Sequence, residues 1–561
     1  MKRKEFSPKR KDRIKVVRSI LEGIILVALL IVTLKSVFTF SEYSSYKEDI
    51  INNGEDKGFI AISYFGVDRN GTNTLISTEA LENQLKALKE NGYVTITQQD
   101  VLDYYNEGKE LPPKSLLLLF EDGRKDTAIF SQKIMEENNY KATMLTYADR
   151  FYKNDSKFLK AKDLKKLVDS TYWELGTNGY RLEYINVFNS DKNYLGELTT
   201  DEFVKLSKTI RIDFNHYLMD YIRDENNIPK ETYSEMKSRI ENDYENLYET
   251  YNRELGSTPM LYALMHSNTG KFGTNDKVSN INEVCIKKLF GMNFNRDGFS
   301  LNTQDNSIYD LTKIQPQPHW STNHLLMRIW NDTKENINFV IGDEKKAENF
   351  EKINGEAEFI DNTIILTSLP KGVGRLKLLE SNDYKDIKVS VELNGNIIGS
   401  QAIYLRASED LKDNIRFRII NNIIEVTESI NGEEKLLYSK DLNGNRDIKD
   451  ININEAGNKK VHLQLIDNKL DVILDGEEIV KGLEVRYREC GSILLESAWG
   501  GDDSSKINIH DDIYDGVFKN LKVSKLDNTV LFDTSLKGTE LIKYKTKNSF
   551  KKLVNWFITN L

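Results

Sequence analysis

Residues 115–123 read Ser-Leu-Leu-Leu-Leu-Phe-Glu-Asp-Gly, a short apolar run that stops abruptly at Glu121, Asp122 and Gly123. A run of this length ended by a turn reads as a buried strand of a parallel sheet. That places the chain among α/β folds and barrels. Such folds put their chemistry at the carboxyl ends of strands, where the two carboxylates stand. Gly123 lets the backbone turn sharply behind them. Acid-glycine turns are also common as plain strand stops, so these residues alone leave both a site and a simple turn open.

The flanking segments narrow the choice. Ser77 followed by acids starts a helix, Leu81, Leu85 and Leu88 form its apolar stripe, and Gly92 stops it. A segment at 97–105 and a Leu-Pro-Pro-Lys stretch precede the acid-tipped strand, and a helix through 129–138 and a strand at 141–146 follow it. In order and spacing, residues 76–146 resemble the opening of a polysaccharide deacetylase domain (carbohydrate esterase family four). That family runs in the same order through a Thr-Phe-Asp-Asp-Gly motif and a Lys-Ala-Thr-Phe-Phe strand. The resemblance extends over residues 57–330, just under half the chain. It implies a distorted β/α barrel acting on an N-acetylated exopolysaccharide or cell-wall glycan.

The 561 residues suffice for two or three domains. Residues 1–18 hold nine Lys/Arg and two acids, and the remainder carries 69 basic and 85 acidic residues, a balance of −16. A body that acidic argues against nucleic acid as a partner. The basic tail, 1–19, precedes an apolar segment, 20–40, that reads as a transmembrane signal-anchor with the tail cytoplasmic and the bulk extracellular. A cleaved signal peptide is the rival, but the bulky residues 36–40 offer no small-x-small site. Cys285 and Cys490 fall in different proposed domains, show no metal spacing and read as free buried thiols.

A linker at 41–57 leads to the α/β domain, 58–330, which contains a helical insertion at 231–255 with Met236, Ile240, Tyr244, Leu247 and Tyr251 on one face. A charged linker, 331–355, changes the texture to short alternating strands with Asn-Gly and Asp-Gly turns through 356–530. That is the pattern of an all-β sandwich. It resembles a concanavalin-like, laminin-G-type jelly roll, with carbohydrate binding among the roles open to it. An extension, 531–561, ends in a short amphipathic helix at 549–561 expected to pack back on a domain. The expected fold class is therefore multidomain: an N-terminal transmembrane helix, an α/β deacetylase-like domain and a C-terminal all-β jelly roll.

The resemblance implies a zinc-like divalent metal held by one aspartate and two histidines, a second carboxylate as base, and a late histidine as acid. It maps Asp122 onto the metal-binding acid and Glu121 onto the base. Asn178 and Leu182 stand at the two histidine positions. Leucine cannot ligate a metal and an amide replaces imidazole poorly, so the usual triad is absent, and a rebuilt site would draw on His266, Glu183 or Asp126. His266, in Leu-Met-His, resembles the general-acid motif; a groove residue and a hydrogen-bonded strand-end histidine are the alternatives. Asn178, Arg181, Tyr262, Arg296, Trp320 and His324, with Asp297 and His319, are candidate glycan contacts by stacking and hydrogen bonding. In the sandwich, Trp499 and the acidic run 510–515 are candidate sugar or calcium ligands. Three functions stay open: a membrane-anchored deacetylase with an atypical metal site, a catalytically silent glycan-binding relative, and an assembly subunit bound to polysaccharide synthesis or export proteins.

Overall fold

The computed structural model of the chain describes residues 15–24, 27, 41–47, 57–207, 209–210, 214–295, 298–448, 451–501 and 510–560. The first domain is built on eight strands: β1 (Phe59–Tyr64), β2 (Val94–Thr95), β3 (Ser115–Phe120), β4 (Ala142–Tyr147), β5 (Trp173–Gly179), β6 (Leu261–Ala263), β7 (Met292–Phe294) and β8 (Leu301–Asn302). The sheet order is β7-β6-β5-β4-β3-β1-β8, with β2 also on β3. The pairs from β7 to β1 are parallel, and β8 joins β1 antiparallel. Every residue of β1, β3 and β4 is buried, which is why these strands read as continuous apolar runs. Residues 311–314 close the curl: the segment bridges Phe294 at Leu311 and Ile62 at Ile314. The carboxyl ends of the strands thus surround one rim.

Local chemistry sets the helices. Ser77 caps Thr78–Glu90, and Thr97 forms a capping box with Asp100 before Gln98–Glu107. Thr232 and Glu235 do the same for Tyr233–Leu255, whose buried face includes Met236, Ile240, Tyr244, Leu247 and Tyr251, and Gly256 ends it in the left-handed region. The sequence reading missed a small antiparallel sheet of Glu183–Phe188, Tyr194–Thr199 and Asn215–His216 beside the rim.

The C-terminal domain is a sandwich of a seven-stranded and an eight-stranded antiparallel sheet. Its core packs Leu376, Val389, Ile403, Phe417, Leu463 and Leu495 between the two sheets. The tight turn between Asn414–Ile420 and Ile423–Ile430 has both Asn421 and Asn422 at positive φ, as a two-residue hairpin requires.

Among the described residues no helix is long and apolar enough to cross a membrane; the expected span, 20–40, lies largely outside the described residues. Three expectations change. The C-terminal helix runs over Gly538–Asn560, longer than the predicted 549–561, because no breaker interrupts residues 539–548. Cys285 is buried as expected, whereas Cys490 is exposed in the turn before Ser492–Ala498. Within 331–355, Asn338 exchanges hydrogen bonds with Asn91, and Val340 with Asn323, so this stretch lies along the first domain.

Candidate functional site

The rim holds a cavity of about 700 Å³, within the roughly 300–1,000 Å³ usual for ligand pockets. Glu121, Asn178 and His266 line it together, so three sequence candidates converge. Asp122 adjoins them: its backbone N–H donates to Asn178 Oδ1 at 3.4 Å. Asp122 and Gly123 both have positive φ, 70° and 60°. A Cβ on Gly123 would lie 2.6 Å from Thr146 Cγ2, so the turn requires glycine.

Glu121 is held in place from two sides. Its Oε1 accepts from Ser63 Oγ at 2.6 Å and from Lys313 Nζ at 2.7 Å, and both Glu121 and Lys313 are buried. Lys313 sits on the segment that closes the barrel, 192 residues along the chain from its partner. No local pattern announces such a pair. Burial pushes the Asp122 carboxyl up to about 6; Arg150 and Arg124 oppose that and Glu121 adds to it.

His266 also has positive φ, 63°. Its ring lies 5.6 Å from Phe214, 5.9 Å from Tyr184 and 6.4 Å from His216. Burial, with His266 nearby, lowers His216 to about 3, so that imidazole is neutral. Phe65 and Phe214 supply apolar walls to the cavity, and sequence reasoning missed both.

Several candidates serve elsewhere. Arg181 pairs with Asp243 at 2.9 Å and Glu183 at 3.3 Å, between the Tyr180 and Tyr217 rings, which also removes Glu183 as a spare ligand. Tyr262 is buried and stacked on Phe290, 4.5 Å between ring centres, in the core rather than the groove. Trp320 is buried and stacks on His324 at 4.4 Å. His324 bonds Asp511 at 2.9 Å and Asp515 at 3.2 Å, across to the sandwich, so these acids hold a histidine rather than calcium. His319 bonds Asn454 Oδ1 at 2.8 Å. Asp126 lies 3.8 Å from Arg124. Arg296 and Asp297 lie outside the described residues.

The implied metal does not fit this rim. Among the described residues no group of three His, Cys, Asp or Glu is arranged to hold one. Asn178 stands buried beside Asp122, Leu182 is buried, and Glu121 is tied to Lys313. Asn178 Nδ2, enclosed in the cavity wall, has no hydrogen-bond partner among the described residues.

No family model matches the chain. A 69-residue stretch is 35% identical to the poly-β-1,6-N-acetyl-D-glucosamine N-deacetylase of Escherichia coli (strain K12), covering 12% of this chain and 10% of that protein. The match therefore spans about a tenth of the relative's length. Among solved structures, the BpsB deacetylase domain from Bordetella bronchiseptica is similar at 14% identity and a TM-score of 0.36, over 46% of this chain and 96% of that one. A carbohydrate-binding module from Bacillus subtilis is similar at 14% identity and a TM-score of 0.24, over 31% and 94%.

Proposed function

We propose that this chain is a glycan-binding protein on a polysaccharide-deacetylase-like fold, holding an N-acetylated polysaccharide strand in the rim cavity without metal-dependent deacetylation. The observation that carries this reading is the state of the carboxylate pair: Glu121 is tied to Lys313 and Ser63, and Asn178 and Leu182 stand where histidines would complete a metal set. The Asn178 amide N–H suits an acetamide carbonyl, and Phe65 and Phe214 suit sugar faces. The basic N-terminus and the apolar segment 20–40 support anchoring at a membrane with the bulk outside. The test is calorimetry with a partially N-acetylated β-1,6-glucosamine polymer. Binding is expected, weakened at least about tenfold in Asn178→Ala; no binding by the native chain contradicts the reading.

A second reading, metal-free N-deacetylation, draws on Asp122. A carboxyl raised to about 6 is a usable general base near neutrality. Acetate release that survives chelation and is lost in Asp122→Asn would favour it.

A further inference from the structure

The cavity is not made by the first domain alone. Asn454, on the sandwich, is one of its lining residues. The loop bearing it is fixed to the sandwich: Asn396 Nδ2 donates to Ile453 O at 2.5 Å, Ile397 N to Glu455 O at 2.9 Å, and Gly457 N to Gly395 O at 2.8 Å. The Asn454 amide then reaches the first domain twice. Its Oδ1 meets His319 Nδ1 at 2.8 Å, and its Nδ2 donates to Asn73 O at 2.8 Å. A primary amide has two N–H donors and two lone pairs. Among the described residues one of each has no partner, on a side chain that lines the cavity.

Behind this contact, the two domains are latched. His324 sits between Asp511 and Asp515, and Ser321 N donates to Asp515 Oδ2 at 2.8 Å. From the sandwich side, Thr367 Oγ1 donates to Asp515 Oδ1 at 2.6 Å and steadies that carboxylate. Asn454 is half-buried at the cavity wall and Thr74, Asn268, Lys271 and Thr274 are exposed around it, while Glu121 and Asn178 are buried at its floor. We infer that the sandwich supplies the outer subsite of the cavity, with Asn454 hydrogen-bonding the hydroxyls or acetamide of a second sugar beyond the one held at Asn178. The inference rests on the glycan-binding reading above and adds to it a site shared between domains.

The test compares N-acetylglucosamine with its β-1,6-linked tetramer on the full chain, by calorimetry, with hydrogen exchange on the native protein. Asn454→Ala is expected to weaken the tetramer about tenfold and leave the monosaccharide unchanged, with a modest fall in melting temperature from the lost bonds to His319 and Asn73. The tetramer is expected to protect amides at 451–457 as well as at 263–268. Unchanged tetramer affinity in Asn454→Ala, or no protection at 451–457, overturns the shared site while leaving glycan binding intact. Equal weakening of both sugars assigns Asn454 a structural role and also overturns it. If the native chain binds neither sugar, the glycan reading fails first and this inference falls with it.

Discussion

His324 gives the sharpest handle on how the domains are held. It is 1% exposed and bonded to two carboxylates. Burial alone would lower its pKa, but Asp511 and Asp515 overcome this and raise it from 6.5 to about 9. A histidine raised on folding contributes stability that is complete below the unfolded value and lost as pH climbs through the folded one. The gap from 6.5 to about 9 is worth about 3 kcal/mol. Roughly 2 kcal/mol of it remains near pH 7.5, and little by about pH 9. Asp511 and Asp515 are lowered on folding, burial opposing and His324 prevailing, so their share is lost at acid pH instead. Burial lowers His319 to about 4, and its share is likewise lost on acidification below 6.5. Above 6.5, His324 therefore dominates this cluster. Denaturation of the full chain from about pH 6.5 to 9, followed by proteolysis between the domains, should show the loss, and His324→Gln should flatten it. An unchanged slope in His324→Gln would refute the argument.

Three further outcomes follow from the rim. Lys313→Met leaves Glu121 as a buried unpaired charge and should destabilise the first domain by roughly 3–5 kcal/mol in urea, with much of the loss recovered by adding Glu121→Gln. Gly123→Ala should cost about 1–3 kcal/mol in the same assay, from the contact with Thr146 and the positive φ. Asp122 is raised on folding, so its ionisation opposes the folded state as pH rises from 3.8 through about 6. Asp122→Asn should therefore raise the melting temperature above pH 6 and leave it unchanged at about pH 3.5, readable by scanning calorimetry.

Much of this architecture is written locally. The apolar run 115–120, the Ser77 and Thr232 caps, and the alternating strands of 356–530 each state their element through short-range chemistry. The convergence of Glu121, Asn178 and His266 was also legible, since each lies at the carboxyl end of a strand of one parallel sheet. What stayed hidden depends on distant contacts. Lys313 is one lysine among many until barrel closure places it on Glu121. His324 and Trp320 looked like groove residues because polar-aromatic loops and domain seams share a composition, and only the sandwich acids distinguish them. Tyr262 followed strand periodicity into the core, where Phe290 covers it.

Acetate release measured with and without a chelator tests the central claim most directly. The full chain would be incubated with a partially N-acetylated β-1,6-glucosamine polymer, with added zinc in one arm and EDTA in the other, while polymer binding is followed in parallel. The account predicts equal binding in both arms and no acetate in either. Acetate released with zinc and abolished by EDTA would contradict it, and would mean that a metal site forms at this rim despite Asn178 and Leu182.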